Sequence, residues 1–268
     1  MIKKRRRAIL IRLSILFVAV LVLFVGAFFT LRANFIKIDQ FNVKNGAFAD
    51  EKEVKSLVSE VLSKNYLMIF PRNNIFLFPK NEIKNLMLNK FPEINNIEIS
   101  YESLKSVTIN FSERKTFGTW CSGMRDSSND CYFLDETGYV FSKAPNTSGD
   151  VYFKYYGSIT DNPISKYYLP LESFNKINKL INLIKDFNEK IKPVAISSGI
   201  EKDFILYLSD GSRVFFQEKQ DPDILAKNFK TVANELMTEF KSKDLGKVDY
   251  IDLRFGNKTT YTLRQKSL

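Results

Sequence analysis

The chain has 268 residues, 44% of them apolar, with 40 Lys+Arg against 30 Asp+Glu, which excludes a disordered tail and a disulfide-stapled miniprotein. It contains no histidine and two cysteines, so His-based triads, histidine general bases and Cys/His zinc sites are closed to it. Of the net charge of +10, Lys3, Lys4, Arg5, Arg6, Arg7, Arg12 and Arg32 supply seven, leaving +3 over residues 33–268; the basic run is a local device, and no nucleic-acid partner is expected.

The first element is apolar. Leu13 to Leu31, LSILFVAVLVLFVGAFFTL, carries no charge and as a helix spans roughly 28 Å, the depth of a bilayer core. Six cations precede it and only Arg32 follows at once, so the positive-inside rule puts residues 1–12 in the cytoplasm, a transmembrane helix at 13–31 and the rest outside. The rival is a cleavable signal peptide with Val25 and Ala27 as its small-residue site; against it, the apolar stretch exceeds the roughly 7–15 residues of a signal core. No cysteine directly follows the segment, so a lipoprotein anchor is unsupported.

Residues 35–113 read as one unit. Phe35, Ile36, Ile38, Phe41 and Val43 predict a first strand that closes on the turn pair Asn45-Gly46. Asp50 with Glu53 three residues on predicts a capping box and a helix to about Leu62, with Val54, Leu57, Val58 and Leu62 on one face. A second helix, about Lys80 to Phe91, turns Ile83, Leu86, Met87 and Phe91 inward and stops at Pro92. Ile97, Ile99 and Tyr101 alternate, as do Val107, Ile109 and Phe111, the period-2 mark of a hairpin buried on one side.

Residues 114–268 read as a sheet with helices packed on it. Asp210-Gly211 between FILYLS and SRVFFQ is a two-residue hairpin signal. Amphipathic helices are expected near Leu171 to Lys190, with Phe174, Ile177, Ile181 and Ile184 on a face, and near Pro222 to Phe240, with Leu225, Phe229, Val232, Leu236 and Phe240. Asp221 caps the second, and Pro222 suits its first turn. Lys258 to Arg264 alternates as a half-buried terminal strand with Thr259, Tyr261 and Leu263 on one face. A terminal strand is often an edge, open to a partner's strand by β-augmentation or blocked.

Little chemistry is available. Ser-x-x-Lys occurs at Ser112 to Lys115 and at Ser173 to Lys176, without the Ser-Asp-Asn and Lys-Thr-Gly elements that complete a transpeptidase site. Asp249 with Asp252, and Asp221 with Asp223, read as turn and cap residues. There is no GxG to cradle phosphate. Cys121 and Cys131, ten apart and outside the membrane, read as a disulfide across a local loop, with two free thiols as the alternative. No catalytic residue, metal, cofactor or small-molecule substrate is expected.

The ordered set of features resembles the FtsQ/DivIB family of bacterial division proteins. The resemblance is carried by a single N-terminal span and a strand-helix-helix-strand-strand unit with Phe91-Pro92 before its second strand and Glu113-Arg114 ending its third. Trp120, Leu134-Asp135 with Gly138 to Phe141, and Tyr250 to Phe255 complete the set. It implies an α+β fold: the transmembrane helix, a POTRA domain (β-α-α-β-β) at 35–113, and a mixed-sheet β domain with two packed amphipathic helices at 114–268. It further implies a non-enzymatic divisome scaffold of the cytoplasmic membrane, enriched at the septum, that promotes septal peptidoglycan synthesis. Its partners would be FtsB/DivIC-like and FtsL-like bitopic proteins, docked on the last strand and adjoining helix at Arg254, Phe255, Asn257, Lys258 and Thr260. Phe255 stands where a tyrosine is common, so the ring anchors without a hydroxyl. The POTRA unit would contact other division proteins. The competing readings are a secretion or envelope-assembly module, which would carry a β-barrel and no N-terminal anchor, and a membrane-anchored cell-wall enzyme, which would need Ser112 or Ser173.

Overall fold

The computed structural model describes residues 2–44, 50–123, 125, 130–145, 151–158, 162–199, 203–256 and 258–265, with side chains from Leu10 onward. The chain is α+β and divides into two compact units, Met1–Glu113 and Arg114–Leu268. The turn pair Asn45-Gly46 and most of the loop between the cysteines lie outside the described residues.

Helix α1, Ile2–Leu31, holds a segment long and apolar enough to cross a membrane at Leu10–Leu31. That is three residues longer than 13–31, because Leu10 and Ile11 extend the apolar run past Arg12. Its apolar side chains are bare, as they must be if lipid is their solvent.

The rest of the first unit follows the expected order. Strand β1 is Gln40–Lys44, shorter than predicted. Phe35 and Ile36 instead form a 3-10 turn, Asn34–Ile36, and the amide of Ile38 and carbonyl of Ile36 bond to Asn73 and Ile75 rather than to a sheet neighbour. Ile36 and Ile38 are buried, but Phe35 is exposed. Helix α2, Glu51–Ser63, starts where Asp50 accepts the Lys52 amide at 3.0 Å; Glu53 pairs with Lys90 at 3.1 Å. A short hairpin absent from the sequence reading follows, β2 (Asn65–Tyr66) and β3 (Phe70–Pro71). Helix α3, Lys80–Lys90, buries Ile83 and Met87 and turns Leu86 outward. Strands β4, Ile94–Tyr101, and β5, Ser106–Glu113, form the antiparallel hairpin, with β1 parallel to β5 in the sheet order β1-β5-β4. Val107, Ile109 and Phe111 face α2 and α3 in one core with Val54, Val58, Ile83 and Met87. Tyr101, expected inside, lies at the exposed end of β4 and donates its hydroxyl to Ile75 O.

The second unit is built on β6 (Gly118–Ser122), β7 (Cys131–Leu134), β8 (Val140–Lys143), β9 (Phe153–Gly157), β10 (Pro193–Ser198), β11 (Asp203–Leu208), β12 (Arg213–Gln217), β13 (Val248–Phe255) and β14 (Lys258–Leu263). They form one mixed sheet ordered β14-β13-β12-β11-β10-β9-β6-β7-β8. Helices α4, Leu171–Lys185, and α5, Pro222–Glu239, pack on one face. Phe174, Ile177, Ile181, Ile184, Leu225, Phe229 and Leu236 are buried as the 3.6-residue stripe requires, each contributing about 2 kcal/mol of transfer free energy. Val232 and Phe240 only border this core. Asp221 caps α5 by accepting the Asp223 and Ile224 amides.

Two turns show why particular residues stand where they do. Asp135 accepts the Thr137 amide and hydroxyl and the Tyr139 amide, folding the β7–β8 turn, while its other oxygen takes Arg114 Nη1 at 2.5 Å. Asp210 accepts the Ser212 amide and hydroxyl, Gly211 sits at φ +86°, and the loop between β11 and β12 spans 209–212, longer than the expected two residues. Cys121 and Cys131 lie opposite one another in the β6–β7 register and are joined by a disulfide, their Cα atoms 4.1 Å apart.

Candidate partner-binding site

The residues singled out at the carboxyl end belong to β13, the turn after it and β14. These surround one margin of the nine-stranded sheet, and their side chains serve different ends.

Arg254 looks inward along the sheet. Its Nε and Nη2 donate to Asp252 at 3.0 and 2.7 Å, and its Nη1 donates to Asp203 of β11 at 2.8 Å. Gln217 adds a hydrogen bond to Asp203, and Arg213 of β12 holds Asp249 at 2.6 Å. These bonds tie β11, β12 and β13 together on the face opposite the helices. Asp249 and Asp252 are therefore ion-pair residues of the sheet, not turn residues. Burial opposes the Asp252 charge, but the Arg254 side chain, amide and positive charge together hold its carboxyl below the ordinary range. The bonds to Asp252 and then Asp203 push the Arg254 guanidinium up in turn, so it stays charged at any accessible pH.

Phe255, the next residue, looks outward and is 63% exposed. The Arg254 guanidinium lies 5.4 Å from the Phe215 ring centroid and 5.7 Å from that of Phe255, so the fixed cation props the exposed ring. Gly256 turns the chain at φ +66°, and Asn228 of α5 reaches its carbonyl at 3.5 Å, which brings the start of α5 to the same corner. Ile224, one turn earlier on that helix, is exposed. Lys258 and Thr260 are exposed on β14, Thr260 directly across from Asp252. Asn257 lies outside the described residues.

Strand β14 differs from the expected half-buried strand. Its pattern leaves only Thr259 partly covered, while Tyr261 and Leu263 are exposed. Tyr261 pairs with Ile251 and so projects on the helix-covered side, but α5 packs over β13 and β14 runs beyond its cover. The result is an apolar shelf beside an edge. Among the described residues no strand pairs with the outer side of β14. The Arg264 amide donates to Lys247 O, so alternation along β14 turns the amides of Thr262 and Thr260 inward and those of Leu263, Tyr261 and Thr259 to the open edge.

The structure thus brings Arg254, Phe255, Lys258 and Thr260 to one corner, with Arg254 committed to internal carboxylates. The sequence does not single out Ile224 or Asn228, and its alternation predicts Tyr261 and Leu263 on the covered face of the terminal strand. Ile224 could have been found, since it falls outside the 225/229/232/236 stripe; the exposure of Tyr261 and Leu263 depends on where α5 ends sideways, which no local pattern encodes.

The remaining candidates form no acid/base constellation. Ser173 donates to Glu218, and Lys176 is paired with Glu172 at 2.7 Å. Asp221 caps α5, and Asp223 pairs with Lys179. A cleft of about 290 Å³ beside α4 is lined by Phe117, Tyr155, Asn178 and Ile181 among others, with no carboxylate. Burial pushes the Tyr155 hydroxyl up, against a hydrogen bond to Asn178. Among the described residues no group of three or more Cys, Asp or Glu could hold a metal ion.

Residues 124–254 match the family described as "Cell division protein FtsQ/DivIB, C-terminal". The match covers most of the second unit, from the loop after β6 to Arg254; Phe255 and β14 follow it. No curated protein matches the chain.

Proposed function

The chain belongs to the FtsQ/DivIB family of cell division proteins, and from that premise we propose that it is a non-catalytic scaffold held to the cytoplasmic membrane by α1. Its amino terminus lies inside and its two units outside, the orientation that six cations before the span and one after it favour. In this reading the first unit is a POTRA domain that meets other division proteins. The second receives FtsB/DivIC-like and FtsL-like bitopic partners at the septum, and their assembly promotes septal peptidoglycan synthesis.

The observation that carries the reading is the open edge of β14 with an exposed aromatic ring at its start. A partner strand laid along β14 satisfies the outward amides and carbonyls of Thr259, Tyr261 and Leu263, which supplies affinity without regard to sequence. Selectivity comes from the side chains around it. Phe255 is the anchor, Tyr261 and Leu263 offer apolar cover, and Lys258 favours an acidic neighbour. Arg254 acts from behind, holding the corner in shape. The mechanism is positioning, and the serines of the two Ser-x-x-Lys runs have no part in it.

The test is capture of the extracytoplasmic segments of FtsB/DivIC-like and FtsL-like proteins from the same genome by the full chain in nanodiscs. Wild type is expected to bind. Phe255→Ala removes the anchor, and Tyr261→Pro removes an outward donor from an edge strand that tolerates proline. Loss of binding in both, with the fold retained by circular dichroism, supports the reading. Undiminished binding in both variants overturns it.

A further inference from the structure

We propose that the β2–β3 hairpin of the first unit is a second membrane contact, with Leu67, Met68 and Ile69 seated at the headgroup and acyl boundary of the bilayer that α1 crosses. The proposal rests on the reading of α1 as a membrane span.

Four observations meet at this hairpin. The first is exposure: Leu67 is 83% and Met68 91% exposed, Ile69 is exposed at their side, and Phe76 is 75% exposed on the adjoining turn. An apolar tip of this kind facing water is unfavourable, and hairpin tips are ordinarily Asn, Asp or Gly.

The second is backbone conformation. Leu67 and Met68 hold φ of +50° and +61°, the left-handed region that a side chain larger than glycine's disfavours. Asn-Gly would fill the same positions readily. The sequence keeps two large apolar side chains where the backbone disfavours them, which is intelligible if their surroundings are lipid.

The third is attachment to the span. Asn74, wholly buried, donates through Nδ2 to Leu31 O at 2.7 Å, closing the last turn of α1, and its Oδ1 accepts the Phe76 amide. Arg32 Nη2 donates to Ile69 O at 3.0 Å, and the Phe70 ring meets the Phe24 ring edge-on at 6.3 Å. Phe24 lies seven residues inside the end of the span, ~10 Å along the helix axis. A hairpin in contact with Phe24 is already at the depth of the outer leaflet when α1 is inserted.

The fourth is the polar rim. Arg32 lies over the Phe28 ring at 4.6 Å and Lys64 is exposed at the base of β2, while Arg72, over the Tyr66 ring at 4.6 Å, is held by Glu82 at 2.8 Å and only braces the hairpin. Cations and amphipathic rings above an apolar tip suit a phosphate-bearing interface.

The measurement is fluorescence quenching of single-tryptophan chains in nanodiscs of brominated phosphatidylcholine with phosphatidylglycerol. Trp120→Phe removes the one native tryptophan. Tryptophan is then placed by Met68→Trp, by Leu21→Trp in mid-span, or by Lys52→Trp at the far end of α2. The Met68→Trp chain is expected to lose most of its emission to lipid brominated high on the acyl chain and less to lipid brominated deep, the Leu21→Trp chain the reverse, and the Lys52→Trp chain neither. Quenching of Leu21→Trp without quenching of Met68→Trp overturns the proposal and leaves the hairpin as a surface for a protein. Quenching of neither shows instead that the span reading has failed, and the proposal with it. Because tryptophan itself favours interfaces, tryptic cleavage after Lys64 and Arg72 is compared in the otherwise native chain. Wild type is expected to be protected in nanodiscs relative to detergent micelles, and Leu67→Asn with Met68→Gly to lose that protection. Equal protection in both overturns the proposal.

Discussion

On the second unit's sheet, β11 to β13 form a closed base in which Nε, Nη1 and Nη2 of Arg254 all donate to Asp252 and Asp203. One residue further on, the margin formed by Phe255 and β14 offers a bare ring and a row of amides that no strand among the described residues pairs. The two regions touch, and the difference between them explains how an open edge is kept from collapsing. An edge strand cannot draw its order from a further strand, so its order comes from the strand inside it. Charge-assisted bonds to the buried Asp252 and the half-buried Asp203 fix β13, and β13 fixes β14.

Removing Arg254 breaks the base and is expected to have the largest effect. Arg254→Ala leaves Asp252 buried without its partner and lowers stability in urea unfolding by about 3 kcal/mol. Arg254→Lys recovers only part, because one ammonium cannot serve Asp252 and Asp203 in the same geometry. Partner binding falls with the fold in both.

Phe255→Ala breaks the margin and spares the base. Affinity for the FtsB/DivIC-like partner is expected to drop about 30-fold, the cost of an aromatic anchor, with the unfolding midpoint unchanged. Phe255→Tyr should bind at least as well as wild type. An equal loss of stability and affinity in Phe255→Ala would erase the distinction between the two regions.

Acid sharpens the comparison. The Asp252 carboxyl is held below its ordinary value in the folded chain, so its contribution is fully present above the unfolded value of about 4 and is lost as pH falls through the lower folded value. The unfolding midpoint of wild type should therefore fall between pH 5 and 3 more steeply than that of Asp252→Asn, followed by circular dichroism.

The smallest effect belongs to the brace between α5 and the corner. Asn228→Ala removes a long bond to Gly256 O, and stability should change by no more than about 0.5 kcal/mol in the same urea titration.

Much of this fold is legible in the sequence because it is written locally. The stripes of α4 and α5, the Asp50 and Asp221 caps, and the alternation of Val107, Ile109 and Phe111 each need only a few neighbouring residues. What was not legible depends on distant parts of the chain. Ile36 and Ile38 are buried by pairing with residues near 74, not by joining a sheet. The partner of Arg254 on β11 lies 51 positions away, so its pairing with Asp203 is not legible from its neighbours in sequence. No local pattern marks the β2–β3 hairpin, because Leu67-Met68 is not turn chemistry. At the candidate site, Phe255 is marked only by the family resemblance, whereas the alternation of β14 predicts a covered face for Tyr261 and Leu263. Their alternation is real, but a strand's covered face is covered only where a helix lies above it.

The central claim is that a partner adds a strand to β14, and residue-resolved amide exchange of the full chain in nanodiscs reads it most directly. Without partner, the amides of Thr260 and Thr262 should be protected by β13 and those of Thr259, Tyr261 and Leu263 should exchange freely. With the extracytoplasmic segment of the FtsB/DivIC-like protein bound, the latter three should become protected while Thr260 and Thr262 change little. A bound partner that leaves Thr259, Tyr261 and Leu263 exchanging as before would contradict the account.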